Sequence, residues 1–204
     1  DLMLDLSHLT GQEAADGYRP PILMTSALTG VGAPEVLDAA DGIDFVASPL
    51  TRTRQTMEIL RAVIGLDERG YRTDDRLVEI RFGVWEGLSW VDLKRDQRAA
   101  VRARRADPFN YVVPGGESYA MVTKRVLDWL GDVERDTVVV AHGGIMRCLR
   151  GHVLAVDQRD IPKLDVPQDR VMVIAGGKIS LDEQGAKAAL QKNIGTPLGL
   201  KDFW

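Results

Sequence analysis

The residues with the clearest chemical potential stand together late in the chain. An apolar run over residues 138–141 leads directly into His142, Gly143 and Gly144, and residues 145–153 then favour a helix. A short apolar run bounded by turn residues is typical of a strand buried on both faces. The pattern therefore predicts that His142 lies at the carboxyl end of a parallel strand, where ligands bind in open α/β sheets.

This position favours a negatively charged ligand. A helix N-terminus offers free amide groups and the positive end of the helix dipole, and both suit phosphate. Gly143 and Gly144 have no Cβ atoms that would keep a ligand away from the backbone. The competing interpretation is that His142 is a buried histidine satisfied by backbone groups alone.

Arg52 is the cation best placed to share such a ligand. It follows Ser48, Pro49 and Leu50, the exit turn of a predicted strand, and stands at the start of a predicted helix. A guanidinium group presents a planar fork of donors that matches phosphate oxygens. Arg54 could compete for the role, and a solvated arginine on the helix surface is the plain alternative.

Glu79 is the candidate proton donor. It lies in an apolar setting, where a carboxyl group could act as a general acid. The alternative is a surface carboxylate paired with Arg81, and Glu86 is a rival for the same role. Glu117 begins a long predicted helix, and we expect it to cap that helix rather than to bind a ligand.

Strands alternate with helices along most of the chain, which predicts a mostly parallel sheet covered on both faces. The expected strands or extended segments are 2–6, 22–27, 43–47, 74–80 and 138–141, followed by a hairpin of 171–175 and 178–181. The expected helices are 33–40, 51–64, 90–105, 117–133 and 145–153. The fold class is therefore α/β, with three α/β/α layers around a mostly parallel central sheet. Residues 1–182 form one domain, in which 1–42 are atypical, and 183–204 form a C-terminal tail.

Composition sets limits on partners and location. The net charge of −4 argues against general binding to nucleic acid or acidic membranes. No apolar run approaches the roughly 20 residues that span a bilayer, and the first residues lack the pattern of a signal peptide. Cys148 is the only cysteine, which fits a cytoplasmic protein. The three histidines form no cluster with it, so we expect no metal and no cofactor. A homodimer is one option for the oligomeric state.

Four ordered blocks resemble the histidine phosphatase superfamily, also called phosphoglycerate mutase-like. The blocks are Ser-Pro-Leu-Thr-Arg-Thr-Arg-Gln-Thr at 48–56, Glu-Ile-Arg-Phe-Gly-Val-Trp-Glu-Gly at 79–87, Pro-Gly-Gly-Glu-Ser at 114–118 and Ala-His-Gly-Gly-Ile-Met-Arg at 141–147. Each block alone is weakly specific, but the ordered set, within residues 43–182, is strongly so. The resemblance implies a phosphoglycerate mutase-like fold.

The resemblance also implies phosphoryl transfer through a phosphohistidine, by a phosphomonoester phosphatase or a phosphoglycerate mutase-type enzyme. It assigns His142 to hydrogen bonding of the phosphoryl oxygens and Arg52 to neutralising their charge, with Gly143 also at the phosphate. It assigns Glu79 to protonating the leaving oxygen. The substrate would be a phosphorylated small molecule, and no metal or other cofactor is required.

The chain departs from this family at the expected nucleophile. The family has a histidine in an Arg-His-Gly motif after its first strand, and this tripeptide is absent from the sequence. His8 is the only histidine in the N-terminal region and follows an apolar run, so it is the candidate nucleophile. Ser7 and Leu9 stand where the family has an arginine and a glycine. A non-catalytic phosphate-binding protein on the same fold is therefore the alternative function.

Residues 18–32 carry a second resemblance, to the guanine-recognition strand and Ser-Ala-Leu loop of P-loop GTPases. No Gly-x-x-x-x-Gly-Lys-Ser/Thr phosphate loop occurs in the chain, so the sequence does not support nucleotide hydrolysis. This strand–turn–helix segment could replace the family's usual start and fill the edge of the sheet.

Overall fold

The computed structural model describes residues 22–25, 42–167, 171–175 and 177–182, with backbone alone for 22–25 and 180–182. The strands are β1 (Ile22–Thr25), β2 (Asp44–Ala47), β3 (Arg72–Thr73), β4 (Thr137–Val140), β5 (Val171–Ala175) and β6 (Lys178–Asp182). The helices are α1 (Thr51–Val63), α2 (Trp90–Asp96), α3 (Arg98–Ala106), α4 (Tyr119–Gly131) and α5 (Gly143–Val153). Single turns of 3₁₀ helix cover Asp75–Leu77, Gly83–Trp85 and Ile161–Lys163.

The six strands form one sheet in the order β3-β2-β4-β1-β5-β6. The pairs β3–β2, β2–β4 and β4–β1 are parallel, whereas β5 and β6 join as antiparallel strands. Ala47 of β2 and Thr25 of β1 both align with Val140 of β4, so these three strands end at one level. The mostly parallel sheet expected from the sequence is confirmed, and the residues following β2 and β4 meet at its carboxyl edge.

Alternation along β2 and β4 divides the core into two layers. Phe45, Ala47, Val138 and Val140 face one side and pack with Met57 of α1. The residues between them face the other side and pack with α4 and α5; this second cluster includes Val46, Val139, Val122, Val126 and Ile145. Because each strand has apolar side chains on both faces, helices cover the sheet on both sides, which is the predicted three-layer arrangement.

The strand beside β4 is β1, and its position differs from the expectation. The GTPase-like segment was expected to supply an edge strand, but Ile22–Thr25 lies inside the sheet, between β4 and β5. Both sides of β4 are therefore paired, one with β1 and the other with β2. The extended run 2–6 and the helix 33–40 lie outside the described residues.

The prediction of an extended segment over 74–80 is wrong for Asp75–Leu77, although Asp74 and Val78 on either side of that turn are extended. The strand is the short β3, and a 3₁₀ turn follows it at Asp75–Leu77. The carboxylate of Asp74 accepts a hydrogen bond from the amide of Arg76 at 2.9 Å, which caps this turn. A short acceptor side chain before a turn competes with strand pairing in this way.

The predicted helix 90–105 is two helices, α2 and α3, joined at Gln97. The backbone of Gln97 leaves the helical region, with φ −128° and ψ 42°. Its side-chain Oε1 accepts a hydrogen bond from the indole Nε1 of Trp85 at 2.6 Å. The spacing of apolar residues within 90–105 does not depend on this contact with the 3₁₀ turn at 83–85. The pattern alone therefore predicted one continuous helix.

Candidate active site

His142 lies two residues beyond the end of β4, at the N-cap of α5. Its backbone is extended, and its carbonyl accepts the first helical hydrogen bond from the amide of Met146 at 3.0 Å. Only 5% of the residue is exposed. Its ring nitrogens contact the side chains of Arg52 and Ser48, so the interpretation of a buried histidine satisfied by backbone alone is wrong.

The two contacts fix the tautomer of the imidazole ring. Nη2 of Arg52 lies 3.1 Å from Nδ1 of His142, and Oγ of Ser48 lies 2.8 Å from Nε2. A guanidinium group only donates hydrogen bonds, so Nδ1 must accept. A neutral imidazole then carries its proton on Nε2, which donates to Ser48. The ring therefore turns a lone pair towards Arg52.

The surroundings hold His142 in its neutral form. Burial lowers its pKa from 6.5 to about 4, and the positive charges of Arg52 and Arg125 act in the same direction. At pH 7 the imidazole therefore carries no charge. The guanidinium of Arg52 is the positive group in contact with the ring.

The turn between β2 and α1 holds Arg52 beside the histidine. Oγ1 of Thr53 lies 2.8 Å from the carbonyl oxygen of Ser48 and 2.7 Å from that of Leu50, which closes the turn from within. The amide of Ser48 donates to the carbonyl of Val140 at 2.9 Å and joins the turn to β4. Arg52 itself is exposed, so its guanidinium can meet a ligand arriving from solvent.

Glu79 reaches the same end of α5. Its Oε1 accepts hydrogen bonds from the amide of Gly144 at 3.1 Å and from the amide of Ile80 at 2.9 Å. Gly144 must lack a side chain here, because a Cβ atom would overlap Oε1 of Glu79 and lie 3.0 Å from Cγ2 of Ile80. The carboxylate is thus held at the amide of Gly144, which follows His142 by two residues in the chain, and its role as proton donor stays a prediction.

Gly143 and the rival residues have other surroundings. A Cβ atom on Gly143 would meet nothing closer than Nη1 of Arg147 at 3.5 Å, which is ordinary contact. Arg54 turns towards Glu58, at 3.9 Å. Glu86 accepts a hydrogen bond from the amide of Phe82 at 3.1 Å. The role of Gly143 at the phosphate stays a prediction.

The expectation that Glu117 caps α4 is wrong. Ser118 is the N-cap, and its Oγ accepts from the amide of Met121 at 3.3 Å. Glu117 is buried and pairs with Nε of Arg125 at 3.1 Å. Burial acts to raise the pKa of Glu117, but the hydrogen bond and charge of Arg125 outweigh it and leave the pKa below 4.5.

This buried pair supports the backbone that carries Glu79. Nη2 of Arg125 donates to the carbonyl of Val78, one residue before Glu79, at 2.6 Å. The amide of Arg81, two residues after Glu79, donates to Oε2 of Glu117 at 3.2 Å. Arg125 from α4 and Glu117 from the loop before it therefore support the backbone on both sides of Glu79.

The sequence did not single out Ser48, and it indicated that Gly144 leaves space for a ligand, whereas the structure fills that space with Glu79. Ser48 follows a strand that ends level with β4, so the parallel register could have indicated it. Glycine is needed at 144 because Glu79, from a distant segment of the chain, approaches it closely. The residues around Gly144 in the sequence do not indicate this contact. The candidate nucleophile His8 lies outside the described residues, and its role stays a prediction.

The described part of the chain contains no group of three His, Cys, Asp or Glu side chains that could hold a metal ion. In that same part, no helix has the length and apolar character needed to cross a membrane. The expectation that no metal is needed remains a prediction from the sequence.

Comparison with known proteins identifies the family. The model of the histidine phosphatase superfamily (branch 1) matches residues 33–186, about three quarters of the chain. The chain belongs to the histidine phosphatase superfamily. Membership of a phosphatase family agrees with the expectation of an enzyme.

Curated relatives of this superfamily member are much longer proteins. The 6-phosphofructo-2-kinase/fructose-2,6-bisphosphatase of Arabidopsis thaliana is 27% identical over 143 residues, covering 69% of this chain and 18% of the relative. The fructose-2,6-bisphosphatase of Saccharomyces cerevisiae is 27% identical over 93 residues, covering 45% of this chain and 21% of the relative. The chain spans about a fifth of the length of these relatives.

Solved structures share the fold. A mycobacterial glucosyl-3-phosphoglycerate phosphatase superposes with a TM-score of 0.60 at 24% identity, covering 81% of this chain and 97% of that chain. The alpha-ribazole phosphatase from Shigella flexneri gives a TM-score of 0.60 at 16% identity, covering 79% and 94%. At these identities the likeness concerns the architecture of the sheet and its helices.

Proposed function

We propose that this chain hydrolyses phosphate monoesters of small molecules at the carboxyl ends of β2 and β4. The observation that supports this most is the contact of Arg52 with a buried His142, beside a Glu79 held by the first turn of α5. A cationic fork, a ring nitrogen and a carboxyl group near the N-terminus of one helix are the groups that phosphoryl transfer needs. Membership of a phosphatase superfamily supports the same reaction.

Each described group has a distinct task in this proposal. Arg52 leaves Nδ1 of His142 and binds two phosphoryl oxygens through its fork of donors. The carboxyl group of Glu79 lies at the N-terminus of α5, where it contacts the amide of Gly144. In its protonated form it gives its proton to the leaving oxygen there. The phosphoryl group passes through a phosphohistidine, for which the family resemblance offers His8.

The direct test is the release of p-nitrophenol from p-nitrophenyl phosphate. We expect turnover by the wild-type chain and a loss of about 10²–10³-fold in kcat for Arg52→Ala, because a preplaced donor to the transition state is removed. Arg54→Ala is the matched control on the same helix, since Arg54 faces Glu58. His8→Ala tests the nucleophile suggested by the resemblance, and equal activity in that variant removes His8 from the mechanism.

A non-catalytic phosphate-binding protein is the second candidate, and the position of β1 favours it. The strand beside β4 is Ile22–Thr25, and the residues that follow it in sequence are Ser26 and Ala27, not an Arg-His pair. This candidate predicts that inorganic phosphate or vanadate binds and that p-nitrophenyl phosphate is not hydrolysed. Detectable turnover that Arg52→Ala abolishes would exclude it.

Transfer to a second hydroxyl, as in a mutase-type reaction, is the other outcome of the same chemistry. The relatives are named for phosphatase activity on fructose-2,6-bisphosphate and glucosyl-3-phosphoglycerate, which favours water as acceptor in this proposal. Phosphorus NMR of 3-phosphoglycerate incubated with the protein distinguishes the two: free phosphate indicates a phosphatase, and a shifted ester signal indicates a mutase.

A further inference from the structure

The carboxylate of Glu79 is held by backbone groups. Its oxygens accept hydrogen bonds from the amides of Gly144 and Ile80, and within the described residues no side chain donates to it. Residues 78–82 belong to no strand or helix, so no regular hydrogen-bond ladder holds this part of the chain. The position of the candidate proton donor therefore depends on what fixes the backbone on either side of it.

Arg125 of α4 holds the backbone before Glu79. Its Nη1 donates to the carbonyl of Arg76, and its Nη2 donates to the carbonyl of Val78 at 2.6 Å. The same guanidinium also donates to the carboxylate of Glu117. Three acceptor groups are reached at once because an arginine side chain carries five N–H donors in a fixed fork.

Glu117 holds the backbone after Glu79. Its amide donates to the carbonyl of Arg81 at 2.8 Å, and its Oε2 accepts from the amide of Arg81 at 3.2 Å. The two segments can approach because residue 116 is glycine: a Cβ atom on Gly116 would lie 2.5 Å from the carbonyl oxygen of Arg81. The Pro-Gly-Gly-Glu block at 114–117 is thus packed against the chain that leaves Glu79.

Arg125 and Glu117 are also bonded to each other. Nε and Nη2 of Arg125 lie 3.1 and 3.2 Å from the two carboxylate oxygens of Glu117, a paired geometry that fixes the orientation of both groups. The two side chains are only 20% and 8% exposed, so water competes little for these hydrogen bonds. The backbone on both sides of Glu79 is therefore attached to one connected unit.

We propose that Arg125 and Glu117 are positioning residues for proton transfer by Glu79, an inference that rests on the phosphatase function proposed above. In the first step a histidine nitrogen bonds to phosphorus, the ester P–O bond breaks, and the leaving oxygen takes the proton of the Glu79 carboxyl group. In the second step a water oxygen attacks phosphorus, the N–P electron pair returns to nitrogen, and the water gives a proton to the Glu79 carboxylate. The hydrogen bonds at Val78 and Arg81 keep that carboxyl group at the N-terminus of α5 in both steps.

The test compares two esters that differ in their need for an acid. p-Nitrophenolate is a stable leaving group, whereas unsubstituted phenol has a pKa of about 10, as in tyrosine, and its anion gains more from a proton. The ratio of kcat for phenyl phosphate to kcat for p-nitrophenyl phosphate therefore reports on Glu79. Any unfolded fraction of a preparation lowers both rates by the same factor and cancels from the ratio.

Arg125→Lys is the principal variant, because it keeps the charge that pairs with Glu117 but cannot reach all three acceptor groups. We expect the ratio to fall by about tenfold, since general-acid catalysis contributes about 10²–10⁴-fold and part of it is lost when the acid shifts. Glu117→Asp withdraws the carboxylate by one methylene and should lower the ratio in the same way. Arg95→Lys is the matched control, because Arg95 forms an equally close pair with Asp96 on the surface of α2, and its ratio should equal that of the wild type.

A double variant tests whether the pair acts through Glu79. Glu79→Gln should lower the ratio at least as far as Arg125→Lys does, and adding Arg125→Lys to Glu79→Gln should not lower it further. A purely structural role would reduce both rates in Arg125→Lys by one factor and leave the ratio at the wild-type value.

The outcomes separate this inference from the proposed function. A wild-type ratio in Arg125→Lys, a further fall in the double variant, or loss of all turnover in Arg125→Lys and Glu117→Asp overturns the positioning role and leaves the wild-type phosphatase activity standing. Absence of turnover of both esters by the wild-type chain overturns the proposed function, and the inference fails with it.

Discussion

Replacement of His142 by glutamine should change how the stability of the protein depends on pH. In the folded chain the pKa of His142 lies at about 4, below the ordinary 6.5, chiefly because of burial. The unfolded chain therefore binds a proton first as the pH falls. The free energy of unfolding must decrease between about pH 7 and pH 4, and it is unaffected by this group above pH 7.

The size of the effect follows from the two pKa values. They differ by about 2.5 pH units, and one unit corresponds to about 1.4 kcal/mol, so the full loss is about 3 kcal/mol. About 2 kcal/mol of it falls between pH 7 and pH 5. Asp74 and Glu117 have lowered pKa values, and their contributions are lost only as the pH falls through the carboxylate range. The window from pH 7 to pH 5 therefore isolates the histidine.

Urea unfolding at pH 7, 6 and 5 measures this loss, because the midpoint multiplied by the slope gives the free energy of unfolding. The wild-type protein should lose about 2 kcal/mol across the window, and His142→Gln should lose almost nothing. His152→Gln, which removes an exposed histidine of the same helix, should behave like the wild type. Parallel pH dependences in wild type and His142→Gln would refute the assignment of a buried neutral imidazole.

Two further predictions concern the site and the core. Gly144→Ala should lower kcat by about 10²-fold with little change in the thermal midpoint, because the new Cβ displaces the flexible end of Glu79, while Cγ2 of Ile80 at 3.0 Å needs to shift only slightly. Gly131→Ala, where a Cβ meets nothing within 4 Å, is the control for p-nitrophenyl phosphate kinetics, and equal losses in both variants would contradict this. Met57→Ala should lower the free energy of unfolding in urea by about 2–5 kcal/mol, because Met57 is fully buried between α1 and the sheet; a loss below about 1 kcal/mol would mean that α1 does not pack there.

Sequence periodicity was sufficient to predict the strands and helices wherever the chain buries apolar groups on a regular surface. The strands ending at Ala47 and Val140, and the helices that cover them, follow from continuous apolar runs and turn residues. Arg52 and His142 could be placed at one sheet edge because the carboxyl ends of parallel strands share that edge, whereas Glu79 was placed beside them only by the family resemblance. Their types and order in the chain were enough to expect their proximity.

Features that depend on contacts between distant segments could not be predicted in this way. The break at Gln97 depends on a hydrogen bond from Trp85, and the position of Glu117 depends on Arg125 eight residues later. The orientation of the His142 ring depends on Ser48, 94 residues earlier in the chain. Residue type and spacing indicate which groups can meet, but not which of their atoms face each other.

The central claim is that Arg52 and His142 form one anion-binding site where β2 and β4 end. Calorimetric titration with orthovanadate tests it without requiring turnover. We expect binding by the wild-type chain and a loss of about 10–150-fold in affinity for Arg52→Ala, from the 1.5–3 kcal/mol of a charged hydrogen bond, while Arg54→Ala binds like the wild type. Equal affinities for the wild type and Arg52→Ala, or equal losses in the two arginine variants, would contradict the claim.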